Sequence, residues 1–171
     1  MVTSNLALSL LTNGRTPEAL VVARRTHALQ PDWTSGRFYE GLAQYHLGRF
    51  DEAVQALDGL VVEWAGSGPR LTLALAHAAL GDRGTALRLA DEFVQDDDPY
   101  SAGLVQLALG QRAEAESSLR RVTRWDYWPA LSLHHLYPDV FAGIREDPLH
   151  GWMLRQAGQW WQREPIAPIE G

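Results

Sequence analysis

Apolar residues recur at helical spacing along most of the chain, and glycine interrupts them at even intervals. Ser4 to Thr12 is an apolar run stopped by Asn13-Gly14. Thr16-Pro17 predicts a second helix start, with a capping hydroxyl and then proline at the first helical position. That helix carries Leu20, Val21, Ala23 and Ala28 and stops before Pro31. Asp32 to Leu47 reads as the next helix, and Gly48 ends it as a left-handed cap. Asp51 and Glu52 fall in the first turn of its partner, where carboxylates suit the positive end of the helix dipole. Ala53, Val54, Leu57, Leu60 and Val61 form that partner's apolar face. After a loop at Ala65 to Pro69, Arg70 to Leu80 and Thr85 to Gln95 repeat the pair. Asp98 caps and Pro99 opens a last pair, Tyr100 to Leu109 and Ala113 to Thr123.

A fixed skeleton underlies this pattern: a glycine followed five residues later by an alanine. Gly14 goes with Ala19, Gly48 with Ala53, Gly81 with Ala86, and Gly110 with Ala115. The glycines are 34, 33 and 29 residues apart. Two helices and a turn repeated at that period predict an all-α solenoid. The expected units are about 3–32, 33–65, 66–98 and 99–125. Beyond Arg124 the composition changes, because five of the seven tryptophans lie between Trp125 and Trp161. Residues 126–157 are expected to form a short helical cap. Its helices read as Pro129 to Leu136, Asp139 to Arg145 and Pro148 to Ala157, the last capped by Asp147. Residues 158–171, with Pro165 and Pro168, are expected to be an extended or disordered tail.

Composition narrows the function classes. The formal net charge of -6 argues against nucleic acid as partner, since phosphate binding needs clustered positive charge. All 15 basic residues are arginine, which excludes Schiff-base chemistry and a phosphate-loop lysine. Without cysteine there are no disulfides, zinc-thiolate sites or thiol nucleophiles. No apolar run approaches the ~20 residues of a membrane span, and the start lacks the basic region of a signal peptide. A cytoplasmic protein without a membrane partner is the expectation.

With four such units, best seen in Gly41-Leu-Ala-Gln-Tyr-His-Leu-Gly48-Arg-Phe-Asp-Glu-Ala53, the chain resembles the tetratricopeptide repeat family. The small residue of the first helix is Gly41, and its counterparts are Ala74 and Gly103. Pro31 matches the family's unit-ending proline. The family's tryptophan near the start of the first helix is missing, and later units lack the proline. Tyr137 to Pro148 is similar to a segment that often follows such repeats in bacterial regulatory proteins. The resemblance implies a right-handed α-solenoid of about four hairpins with a short helical C-terminal cap. It also implies a non-catalytic protein–protein interaction module, an adaptor or regulatory subunit with no cofactor.

First-helix residues line the concave side in this family. Here they are Phe38, Leu42, Tyr45 and His46, then Leu71, Leu75 and Ala78, then Tyr100, Leu104 and Leu107. No lysine, asparagine or arginine occupies these positions, so a clamp for chaperone C-terminal carboxylates is rejected. An apolar, aromatic groove suits a helix, a hydrophobic peptide or a second copy of the chain, unless the protein's own cap or tail fills it. Ala53 and its counterparts are expected opposite Gly41, Ala74 and Gly103, bringing the helices close. Trp125, Trp128 and Trp152 are read as capping core, and Trp160-Trp161 as exposed. His134 and His135 point about 100° apart on a helix, while His46 and His77 could approach across the groove. No two-histidine metal motif, nucleophile elbow or dinucleotide fingerprint is present. The remaining alternatives are a self-associating scaffold and a small-molecule or metal sensor.

Overall fold

A computed structural model describes residues 2–60, 67–125 and 135–163. Its helices are α1 (Val2–Thr12), α2 (Thr16–Leu29), α3 (Thr34–His46), α4 (Phe50–Leu57), α5 (Gly68–Ala79), α6 (Arg83–Gln95), α7 (Pro99–Ala108) and α8 (Arg112–Arg120). α9 (Pro138–Ala142) and α10 (Pro148–Arg163) follow. The described residues contain no strand. Each of α1 to α8 packs on its neighbours in sequence, α1, α3, α5 and α7 also touch one another in succession, and α9 packs on α7. They form the inner layer, with α2, α4, α6 and α8 behind it. The fold is a helical solenoid of helix-turn-helix units.

The hairpins close in the same way four times. Gly14, Gly48, Gly81 and Gly110 have φ of 72°, 71°, 81° and 73°, a region where a Cβ would be strained. At Gly48 the amide bonds the Tyr45 carbonyl at 2.9 Å, and the Arg49 amide reaches back to Gln44 at 3.0 Å. The same crossed pair recurs at the other three glycines, satisfying the carbonyls that end each first helix. Asp97, at φ 54°, makes this turn after α6. Asp98 then caps α7 by accepting from the Ser101 amide at 3.0 Å. The aspartate run therefore serves one helix end and one helix start.

The repeat alanines Ala19, Ala53, Ala86 and Ala115 are completely buried. The tightest approach lies one turn further on. A Cβ at Gly41 would sit 2.5 Å from Leu57 Cγ, and one at Gly103 would sit 2.6 Å from Leu119 Cγ. The partner of the small first-helix residue is thus the residue four after the repeat alanine, not the alanine expected. This exposes a second period: Ala7 and Ala23, Gly41 and Leu57, Ala74 and Ala90, Gly103 and Leu119 are each 16 residues apart. All eight positions are closed off from solvent or tightly packed. Units one and three hold two alanines, and units two and four a glycine with a leucine. Where the second-helix residue is leucine its partner is glycine, which leaves room for the larger side chain.

Several sequence expectations shift. Thr16 is the first residue of α2, not its cap; Arg15 takes the cap position without a side-chain capping bond. Gly68 and Pro69 belong to α5 instead of a loop, with proline where the helix needs no N–H. α4 ends at Leu57, and a turn through Gly59, φ 75°, buries Leu60. α10 runs on to Arg163, so residues 158–163 are helical and do not begin an extended tail. Gly158 costs only about 1 kcal/mol in a helix interior and does not stop this one. The proposed helix 129–136 lies mostly outside the described residues, as do Trp128, His134 and residues 164–171.

Candidate functional site

The ten predicted lining residues do come from one layer, α3, α5 and α7, but they do not line an open groove. Phe38, Leu42, Tyr45, Leu71, Leu75, Tyr100 and Leu104 are buried, while His46, Ala78 and Leu107 are half-buried. The chain's own residues 135–143 cover this face. The segment that lies on this face comes from outside the repeat, where periodicity says nothing about its place.

Tyr137 is the anchor of the occupant. Its side chain is fully buried against the inner layer, with its ring edge-on to Tyr45 at 6.0 Å and 75°. Its hydroxyl lies 2.8 Å from Thr72 Oγ1. Thr72 donates its own proton to the Gly68 carbonyl at 2.9 Å, so here it accepts and Tyr137 donates. Burial pushes the Tyr137 phenol well above its ordinary pKa and keeps it neutral. Pro138 opens α9, and Asp139 in its first turn accepts a short hydrogen bond from the Tyr45 hydroxyl. Burial first, and the Asp139 charge second, raise the Tyr45 phenol as well. Leu136, Val140 and Phe141 are buried beside these polar contacts.

His46 sits at the edge of this contact. It bonds the Leu136 backbone, and its Nε2 is buried without a hydrogen-bond partner among the described residues. Burial lowers its pKa, against smaller opposing effects of Leu136 and Asp139. His77 pairs with Asp82 on its own turn, its Nδ1 3.1 Å from the carboxylate. Among the described residues no group of three or more histidine, aspartate or glutamate side chains could hold a metal ion.

The occupant is fixed at both flanks. Trp125 is buried edge-on between Tyr100, at 5.8 Å, and Trp152, at 5.5 Å. The Arg120 guanidinium stacks over the Trp152 ring at 5.0 Å. Asp147 accepts two bonds from Arg112, at 2.8 and 2.6 Å, and one from the Leu149 amide at 2.7 Å. These donors hold its carboxyl far below the usual carboxylate range, at about 2. One part of the inner face stays open. A cleft of about 300 Å³ runs past the end of α9, walled by Leu75, Ala78 and Leu107 and rimmed by Val140 and Gly143.

Stacked hairpins with an inner layer of first helices can be compared with known families. Two models described as tetratricopeptide repeat match the chain, one over residues 4–68 and one over residues 68–92 and 100–121, together more than half of it. The chain belongs to the tetratricopeptide repeat family. The matches end just before the tryptophan-rich segment, so they cover the solenoid and not its occupant. Among curated proteins, Protein STIP1 homolog of Dictyostelium discoideum is 39% identical over 61 residues. That stretch is 35% of this chain and 11% of the relative, so the chain covers a small part of it. No solved structure gives a significant match. Tetratricopeptide repeats are generally protein–protein interaction modules. Among the described residues no helix is long and apolar enough to cross a membrane.

Proposed function

We propose that this tetratricopeptide repeat chain is a non-catalytic adaptor or regulatory subunit whose inner face binds a helix or hydrophobic peptide of another protein. The observation that supports this is the way the inner face is used already: it holds a short helical segment through buried apolar side chains and two hydroxyl contacts. A surface that holds one such segment has the chemistry to hold another. The open cleft beside α9 gives a partner an apolar wall that the chain's own segment leaves uncovered. Ala78 stands in that wall, half-buried at the edge of the core, so Ala78→Arg puts a long charged side chain into the cleft. Affinity capture from the native organism is expected to retrieve a partner with the wild-type chain and lose it with Ala78→Arg, at unchanged helicity and melting temperature. A partner retained equally by both chains contradicts the reading.

A second reading, self-association, is favoured by the N-terminal end of the solenoid. Leu6 and Val21 are 47% and 67% exposed, and with Leu10 and Val22 they wall a shallow apolar recess beside Arg15 and Glu18. A solenoid end is expected to be polar or covered. Light scattering over a concentration series separates the readings: a strict monomer removes self-association, and a dimer abolished by Val21→Glu supports it.

A further inference from the structure

We infer that the inner face is a receptor for a short aromatic–acidic segment, an aliphatic residue followed by Tyr-Pro-Asp running into a helix, and that a partner protein carrying such a segment binds by replacing residues 136–142. This inference rests on the reading of the inner face as a protein-binding surface and specifies its ligand. The argument begins with what the face offers. Deep between α3 and α5, the Thr72 hydroxyl has given its proton to Gly68 and presents an acceptor. Nearer the rim, the Tyr45 hydroxyl presents a donor. The segment 136–142 answers both: Tyr137 donates to the first and Asp139, two residues later, accepts from the second. Proline between them starts the helix that carries the carboxylate, so the motif is preorganised by its own sequence. A purely aliphatic helix would bury the same area but leave the Tyr45 hydroxyl without its acceptor and the Thr72 oxygen without a donor, which is costly in a buried contact.

The second step concerns competition. A segment tethered to its own receptor has an effective concentration in the millimolar range, so a partner needs contacts the tethered segment lacks. The cleft supplies them. α9 has five residues, and beyond its end the face remains open along Leu75, Ala78 and Leu107. A partner helix that starts with the same motif and continues for two further turns would fill that cleft. Exchange is then favoured by added apolar burial, not by a new kind of bond.

The test uses the full chain and a labelled synthetic peptide with the sequence of residues 133–147, read by fluorescence anisotropy. Two full-length variants loosen the tethered segment: Tyr137→Ala, and Asp139→Ala in case the first fails to fold. Both are expected to bind the peptide about tenfold tighter than the wild-type chain, because the tethered competitor is weakened. Adding Tyr45→Phe and Thr72→Val to a loosened chain, or replacing the peptide's tyrosine by leucine and aspartate by asparagine, is expected to lose about tenfold. If the loosened chains bind no tighter than wild type, replacement is wrong. If an amphipathic helix without tyrosine or aspartate binds them equally well, the inner face remains a binding surface but its aromatic–acidic preference is overturned. If neither peptide binds any folded chain, both the inference and the reading beneath it fall.

Discussion

At the scale of single residues, the close contact between paired helices depends on complementary volumes. A methyl group at Gly41 would meet Leu57, which is completely buried and has nowhere to move. Gly41→Ala is expected to cost about 1–3 kcal/mol by overpacking. Leu57→Ala alone is expected to cost about 2–5 kcal/mol through the cavity it leaves. The double variant converts unit two to the alanine–alanine pair of units one and three. Its loss, measured by urea unfolding, is expected to be smaller than the sum of the single losses by about 1 kcal/mol or more. Additive losses would show that the two positions do not share a contact. The pairing is legible in the sequence only as a spacing of 16 residues, because the residue types at the two positions differ from unit to unit. His46 carries a different prediction. Burial keeps it neutral in the folded chain, whereas the unfolded chain takes up a proton below pH about 6.5. The stability from the neutral form is present above that pH and is lost as pH falls through it towards the lower folded value. The wild-type urea midpoint is expected to drop between pH 7.5 and 5.5, most steeply below the ordinary histidine range. His46→Gln is expected to show a shallower drop, and an equal drop would assign the effect to other groups.

At the scale of elements, the ends of helices decide where the chain turns, and these were the most legible part of the sequence. Four glycines at regular spacing mark four identical turns, because only that residue takes the left-handed conformation at no steric cost. Asp98 followed by Pro99 marks the start of α7 for an equally local reason. Asp97 was not legible as a helix end: aspartate adopts positive φ only when its surroundings require it, and no local pattern records that. The contact of residues 135–143 with α3 and α5 was hidden for the same kind of reason. Tyr45 and Asp139 are 94 positions apart, and apolar periodicity describes one helix at a time. Asp147 combines the two cases, since its place before Pro148 predicts a helix cap while its double bond to Arg112 on α8 is visible only in three dimensions. Asp147→Asn is expected to lower stability at neutral pH by about 1 kcal/mol, the usual worth of a cap, because the ion pair is partly open to solvent. The carboxyl is held at about 2, below its unfolded value, so its contribution is complete above pH about 4 and is lost as pH falls towards 2. The variant's acid unfolding curve is therefore expected to be flatter than wild type in that interval; superimposable curves would mean that Arg112 and the cap add nothing to folding.

At the scale of the whole molecule, the occupant changes how the solenoid holds together. In a plain repeat array each unit touches only its neighbours, stability is close to a sum of unit and interface terms, and opening can begin at either end. Here Tyr137 and Asp139, which follow the fourth unit, reach back to Thr72 in the third and Tyr45 in the second. Trp125 ties the start of this segment to Tyr100 in the fourth unit, and Asp147 ties its far side to α8. Units two, three and four are thereby clasped by one piece of chain, whose bonds named above, among the described residues, do not reach α1 or α2. Native-state hydrogen exchange is expected to show α3, α5 and α7 opening together with one free energy, and α1 opening separately with a lower one. Tyr137→Ala removes the central contact and is expected to split this common value, with α3 losing more protection than α7. The variant tests coupling more than gross stability, because an isolated cavity near Thr72 would lower protection most in α5 and leave α3 and α7 in step. Uniform loss across all helices would mean that the array already unfolds as a single unit and that the clasp adds stability without adding cooperativity.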